Sequence, residues 1–126
     1  MTERRLAANE LARLFGILSN PLRIQIIEEL SDRELTVNDL QNSLGVPHAS
    51  VSQHLGVLRV NRVVIERRQG RHVHYHLRQP ELAATVLKCL MFVSPDKLES
   101  DRILHAIEAA NTQWTHEEKP KRKKKA

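Results

Sequence analysis

One cysteine, Cys89, stands among the 126 residues of the chain, so an intramolecular disulfide is ruled out and a reducing compartment is expected. Glycine is scarce at four residues, and none of the four belongs to a glycine-rich phosphate loop. No nucleophile sits beside a plausible base in a recognisable motif, although seven histidines are present, and an enzyme is therefore not expected. Uninterrupted apolar runs are also missing. Nothing approaches the roughly 18 residues of a membrane span, and the opening MTERRLAANE has no signal-peptide apolar segment, which leads to the expectation of a soluble cytoplasmic protein without a membrane partner. The length suits one domain with a modest core and is too short for two independent ones.

What the chain does have is positive charge, unevenly placed. The net charge is +5, but KPKRKKKA at 119–126 holds six of the twenty basic residues and no acid, which leaves 14 basic against 15 acidic residues elsewhere. Residues 117–126 have no apolar side chain to pack before the final alanine and are expected to form a disordered basic tail behind a domain at 1–116. Within the nearly neutral body, residues 46–78 carry Arg59, Arg62, Arg67, Arg68, Arg71 and Arg78 against the single Glu66. Such a cluster is the electrostatic footprint expected for binding a polyanion.

The apolar spacing predicts short helices with clear punctuation. A first helix from about Glu3 to Leu18 carries Leu6, Leu11, Leu14, Phe15 and Leu18. Ser19-Asn20-Pro21 reads as a cap with proline in the first turn of a second helix bearing Leu22, Ile26, Ile27 and Leu30. Thr36 and Asp39 form a capping-box-like pair before a third, lined by Val37, Leu40 and Leu44 and ended by Gly45. Pro47 opens a fourth, in which Val51, Leu55 and Leu58 make one stripe. Two short helices joined by Gly45-Val46-Pro47 are the layout of a helix-turn-helix, whose second helix enters the major groove. Its polar side shows His48, Ala49, Ser50, Ser52, Gln53 and His54, mostly short or flat groups suited to reading base edges at close range.

After Asn61 the period changes to two. Val73, Tyr75 and Leu77 alternate with His72, His74 and His76, and Arg68-Gln69-Gly70-Arg71 reads as a hairpin tip. A basic hairpin directly after a recognition helix is a wing, with Arg68 and Arg71 placed for phosphates or a minor groove and Arg59 at the end of the preceding helix. The three histidines are expected to be polar residues facing solvent or DNA, since alternate strand positions lie roughly 7 Å apart and suit a shared metal poorly.

The segments LFGILSNPLRIQIIEEL, ELTVNDLQNSLGVPHASVSQHLGVLR and RRQGRHVHYHL closely resemble the ArsR-type winged-helix repressors over about residues 8 to 78. The resemblance implies a mainly α winged helix-turn-helix fold with a small β-hairpin wing. The apolar faces of ELAATVLKCLMFV and of the helix with Ile103, Ile107 and Trp114 lead to the expectation that these extra C-terminal helices, with the first helix, pack against a second copy for dimerisation. The resemblance also implies a homodimeric repressor of a palindromic operator, nucleoid-associated in the cytoplasm, that is usually released by a ligand or redox event. Relatives commonly carry glycine where this chain has Arg62, so Asn61 is expected to end the helix in the left-handed conformation. The family's thiol metal site uses a CVC pattern where this chain has Leu35-Thr36-Val37-Asn38-Asp39, and its persulfide sensors need two cysteines. Its C-terminal metal site falls here on Gln79, Glu81, Phe92 and Pro95. Neither usual site is matched, and the cofactor is left unknown.

Cys89, in ELAATVLKCLMFV, is expected as a small core or interface residue. On a further helix after Ser94-Pro95, Asp101, His105 and Glu108 share one face, with ligand chemistry suited to zinc, nickel or cobalt. The same spacing describes a solvated charged face opposite Ile103, Ile107, Ala110 and Trp114, which is the favoured reading. Three functions thus remain: a sensor-repressor with an unidentified signal, a ligand-independent repressor or architectural DNA-binding protein, and a zinc, nickel or cobalt-responsive repressor.

Overall fold

The computed structural model describes residues 1–93 and 100–115. The side chains of Asp101, Ile103 and Trp114, all of Pro95, and the tail at 117–126 lie outside the described residues. Two compact units are present, Met1–Leu82 and a second beginning at Ala83. The first contains α1 (Glu3–Leu18), α2 (Pro21–Glu29), α3 (Val37–Leu44), α4 (His48–Val60), β1 (Val64–Gln69) and β2 (His72–Leu77). The second holds most of α5 (Leu82–Lys88), a 3-10 turn at Cys89–Phe92, and α6 (Ser100–Thr115). Among the described residues no helix is long and apolar enough to cross a membrane.

The helix starts follow from their caps. Thr2 caps α1 by accepting from the Arg5 amide at 3.3 Å. Asn20 Oδ1 accepts from the amides of Leu22 and Arg23, satisfying two of the four donors that the first turn of α2 would leave unpaired. Thr36 and Asp39 make the full reciprocal box: Thr36 Oγ1 accepts from the Asp39 amide at 3.1 Å, and Asp39 Oδ2 accepts from the Thr36 amide at 3.0 Å. Gly45 closes α3 in the left-handed region, with φ 66°, its amide donating to Gln41 O.

Against this frame pack the side chains that apolar periodicity marks. Ile26, Ile27, Leu30, Leu40, Val51, Leu55 and Leu58 are buried, and Val63, Val64 and Leu77 close the core beneath the wing. The stripe Val51-Leu55-Leu58 thereby turns one side of α4 inward and leaves the other for solvent. Among the described residues a single acid is buried with them. Glu29 accepts from Ser43 Oγ at 3.0 Å and pairs with Arg33, so a carboxylate in the core joins α2 to α3.

Three features depart from expectation. Asn61 is not left-handed: it has φ −88°, and Arg62 takes φ 60° in its place. The reason is the closure that follows. Arg62 N–H donates to Arg59 O at 3.0 Å and Val63 N–H to Leu58 O at 2.9 Å, the paired bonds of a Schellman motif, with Leu58 and Val63 both buried. That pattern demands the left-handed residue one place beyond Asn61, whose own Nδ2 donates to Val57 O at 2.9 Å instead. Secondly, Leu35 pairs with β2, exchanging both backbone bonds with Tyr75 at 3.0 and 2.8 Å, and so adds a one-residue third strand. Thirdly, Cys89 is exposed in the single chain, so of the core and interface placements expected for it the core one is not met; α5 gives way at that residue to a 3-10 turn in which Met91 and Phe92 are also exposed.

Candidate nucleic-acid interface

The turn Gly45-Val46-Pro47 joins α3 to α4, and Pro47, with φ −60° and ψ 145°, caps α4 without a side-chain bond. Its carbonyl accepts from the amides of Ser50 and Val51, which sets the first turn of the helix. On the side opposite the buried stripe, His48, Ala49, Ser52 and Gln53 are exposed, and Ser50 is half-buried. His48 with Ser52, and Ala49 with Gln53, stand one turn apart, so the N-terminal half of α4 offers a compact polar patch with no long charged stem. Arg59 is exposed in the last turn.

His54 is placed otherwise than its neighbours. The side chain is half-buried, and its Nδ1 lies 3.3 Å from Nη1 of Arg23 on α2. Helical spacing alone places His54 with the exposed patch; its contact with Arg23, 31 residues away along the chain, has no local signal.

The wing is an antiparallel pair with Val64 opposite Leu77 and Gln69 opposite His72. Gly70 and Arg71 alone make the turn, with Gly70 at φ 60°, the first-position glycine that a II′-type hairpin turn needs. The register puts Ile65, Arg67 and Gln69 on one face with His72, His74 and His76, and Val64, Glu66 and Arg68 on the other with Val73, Tyr75 and Leu77. Arg68 and Arg71 are exposed towards the tip. At the base, Arg78 N–H donates to Val63 O and Arg78 Nε to Arg62 O, so the two strands are tied where they leave the core.

Arg67 does different work. Its Nε and Nη2 donate to both oxygens of Glu34, at 2.7 to 3.1 Å, and His76 Nδ1 lies 3.2 Å from the same carboxylate. The Arg67 guanidinium, with its hydrogen bonds, holds the Glu34 carboxyl below the usual glutamate range. Glu34 therefore fastens the loop before α3 to β1 through Arg67, while its neighbour Leu35 pairs with Tyr75 of β2; His76 Nδ1 makes no hydrogen bond among the described residues. His72 and His74 have ring centroids 6.5 Å apart in a tilted arrangement.

The positions that a CVC thiol site would occupy are structural here: Leu35 pairs with β2, and Thr36 and Asp39 cap α3. His105 and Glu108 are exposed on α6, while the Asp101 side chain is outside the described residues. Among the described residues no three metal-ligating side chains come together.

A helix-turn-helix followed by a two-stranded wing defines the winged-helix class of DNA-binding proteins. The model of the bacterial regulatory protein family arsR matches residues 20–66, from the cap of α2 into β1. The chain is 35% identical over 79 residues to the biofilm growth-associated repressor of Xylella fastidiosa, covering 63% of this chain and 69% of that one. Over 74 residues it is 39% identical to the HTH-type transcriptional regulator KmtR of Mycobacterium tuberculosis, spanning 59% of this chain and 57% of that protein's length. The crystal structure of the transcriptional repressor BigR from Xylella fastidiosa superposes with a TM-score of 0.62 at 31% identity, over 71% of this chain and 89% of that one. The chain belongs to the ArsR family, whose members are DNA-binding transcriptional regulators and not enzymes.

Proposed function

We propose that the chain is a homodimeric, sequence-specific repressor that binds a palindromic operator. The observation that carries this reading is the exposed patch of His48, Ala49, Ser52 and Gln53 on α4, with Ser50 at its edge, beside a wing that ends in Arg68 and Arg71. Short hydrogen-bonding side chains on a helix narrow enough for the major groove read base edges, whereas the arginines hold phosphates and carry little sequence information. The relatives named as repressors support the direction of regulation. Dimerisation is supported by α1, where Leu6, Leu11 and Phe15 are all more than half exposed, an apolar face that a second copy would cover. The basic tail adds salt-sensitive attraction without sequence preference, and the protein works in the cytoplasm, at the nucleoid.

The test is selection of duplexes from a random-sequence library by the full chain, followed by binding at one salt concentration and by sedimentation. An enriched inverted repeat bound by two copies is expected; enrichment of no sequence, or binding as a monomer, overturns the reading. The structural roles of Leu35, Thr36 and Asp39 favour a repressor that does not use the thiol site. Titrating zinc, nickel and cobalt into the operator complex separates that reading from a metal-responsive one, since only the latter predicts release of DNA.

A further inference from the structure

We propose that Arg23 is a positioning residue for DNA reading, which fixes the angle of the recognition helix by tying it to the end of α1. The inference rests on α4 being the helix that reads DNA. Arg23 lies in the first turn of α2, its backbone amide already bound to the Asn20 cap. Its guanidinium reaches both ways. Nε donates to Ile17 O at 2.6 Å, one of the last carbonyls of α1, which lack partners within that helix. Nη1 donates to Nδ1 of His54 on α4 at 3.3 Å. Guanidinium has no acceptor, so Nδ1 receives the hydrogen and the ring proton of a neutral His54 resides on Nε2.

This contact supplies something that the apolar core does not. Val51, Leu55 and Leu58 decide which side of α4 turns inward, but apolar burial is non-directional and tolerates small rolls of a helix about its axis. Reading a base edge requires side chains held within about 0.5 Å and 10–20°. A hydrogen bond is directional, and His54 follows Gln53 immediately, about 100° round and 1.5 Å along the helix. Fixing the His54 ring therefore fixes the roll at which Gln53 is presented. Because the same guanidinium holds the end of α1, whose exposed face is the proposed contact with a second copy, it also sets each recognition helix relative to the dimer axis. Lysine cannot do this: one ammonium lacks the fork that engages two acceptors in different directions.

The test uses the full chain, a duplex selected by it from a random library, a scrambled duplex, and the selected duplex with one base pair inserted between half-sites, all well below each variant's melting temperature. Arg23→Met, Arg23→Lys and His54→Leu should each weaken binding to the selected duplex about tenfold. Binding to the scrambled duplex should stay within about twofold. The penalty for the inserted base pair should shrink, and the double variant Arg23→Met with His54→Leu should be no worse than either single one. His54→Asn, which keeps an acceptor close to the Nδ1 position, should bind like the parent. If melting temperatures fall but the selected-to-scrambled ratio and the spacing penalty stay at parental values, Arg23 only stabilises the fold and the proposal is wrong. Should Arg23→Met fail to fold, His54→Leu against His54→Asn decides by the same ratio. Gln53→Ala separates the two levels. A ratio unaffected by Gln53→Ala, or the absence of any enriched duplex, overturns α4 as the reader and this inference with it; a ratio lowered by Gln53→Ala but not by the Arg23 and His54 variants overturns this inference alone.

Discussion

Arg62 bears a conformational cost that a glycine would not. At φ 60° its Cβ crowds the backbone, and the position is held because the Schellman bonds from Arg62 and Val63 and the bond from Arg78 Nε to Arg62 O all depend on it. Arg62→Gly should therefore stabilise the protein by about 1 kcal/mol, with no change in fold. Urea unfolding checks this, and a loss of stability would mean that the Arg62 side chain makes compensating contacts. Glu34 is the second informative residue. Its carboxyl is held below the ordinary glutamate value of 4.5 mainly by the hydrogen bonds of Arg67, so the folded state binds its proton less readily than the unfolded chain. The stabilisation is present above about pH 4.5 and is lost as pH falls through the lowered folded value. Glu34→Gln should lower stability near neutral pH by less than about 1 kcal/mol, since the pair is solvent-exposed, and should flatten the acid limb. Melting curves from pH 6 to 3 that stay parallel for the two proteins would remove the Glu34 pair from the acid response.

Between elements, the proposed reading gives α4 the base edges and the wing the phosphates. Gln53→Ala removes an amide able to bond a base edge in two places and should cost about 1–3 kcal/mol on the operator while sparing scrambled DNA. Arg71→Ala should weaken both duplexes together and reduce the salt slope. Equal losses for Gln53→Ala on both duplexes, with discrimination erased by Arg71→Ala alone, would make the wing the reader. The helices and the wing were legible in the sequence because their signals are local: Asn20-Pro21, the Thr36 and Asp39 pair, Gly45-Val46-Pro47 and the alternation from His72 to Leu77 each act within a few residues. What escaped depends on tertiary placement. Leu35 becomes a strand only because β2 runs beside it, Glu34 meets Arg67 33 residues later, and His54 turns to Arg23 across 31. The left-handed residue falls one position beyond Asn61 because the buried Leu58 and Val63 pair, and not the asparagine's own tolerance, sets where the helix closes.

At the scale of the molecule, each α4 of the proposed dimer would engage one half-site, and operator affinity would then depend on how firmly a second copy is attached. Linking two weak half-site contacts makes the second binding event intramolecular and raises overall affinity by orders of magnitude without any new contact. A symmetric dimer that sets its recognition helices about 34 Å apart meets successive turns of one groove. The side chains of α1 available for this are apolar and open to solvent: Leu11 is 52% exposed and Phe15 58% exposed. Leu11→Glu combined with Phe15→Glu leaves α4, the wing and the Arg23 contact untouched in sequence, yet puts two carboxylates per copy where apolar surface would meet. Those charges would have to be buried without partners or the two copies would separate, and separation costs less. The variant should sediment as a monomer with parental helix content, bind a duplex carrying one half-site as the parent's monomeric unit does, and lose at least about a hundredfold on the full inverted repeat. A variant that remains dimeric would move the interface away from α1. A monomer that retained full operator affinity would show that one copy suffices, and the palindrome would then have no mechanical basis.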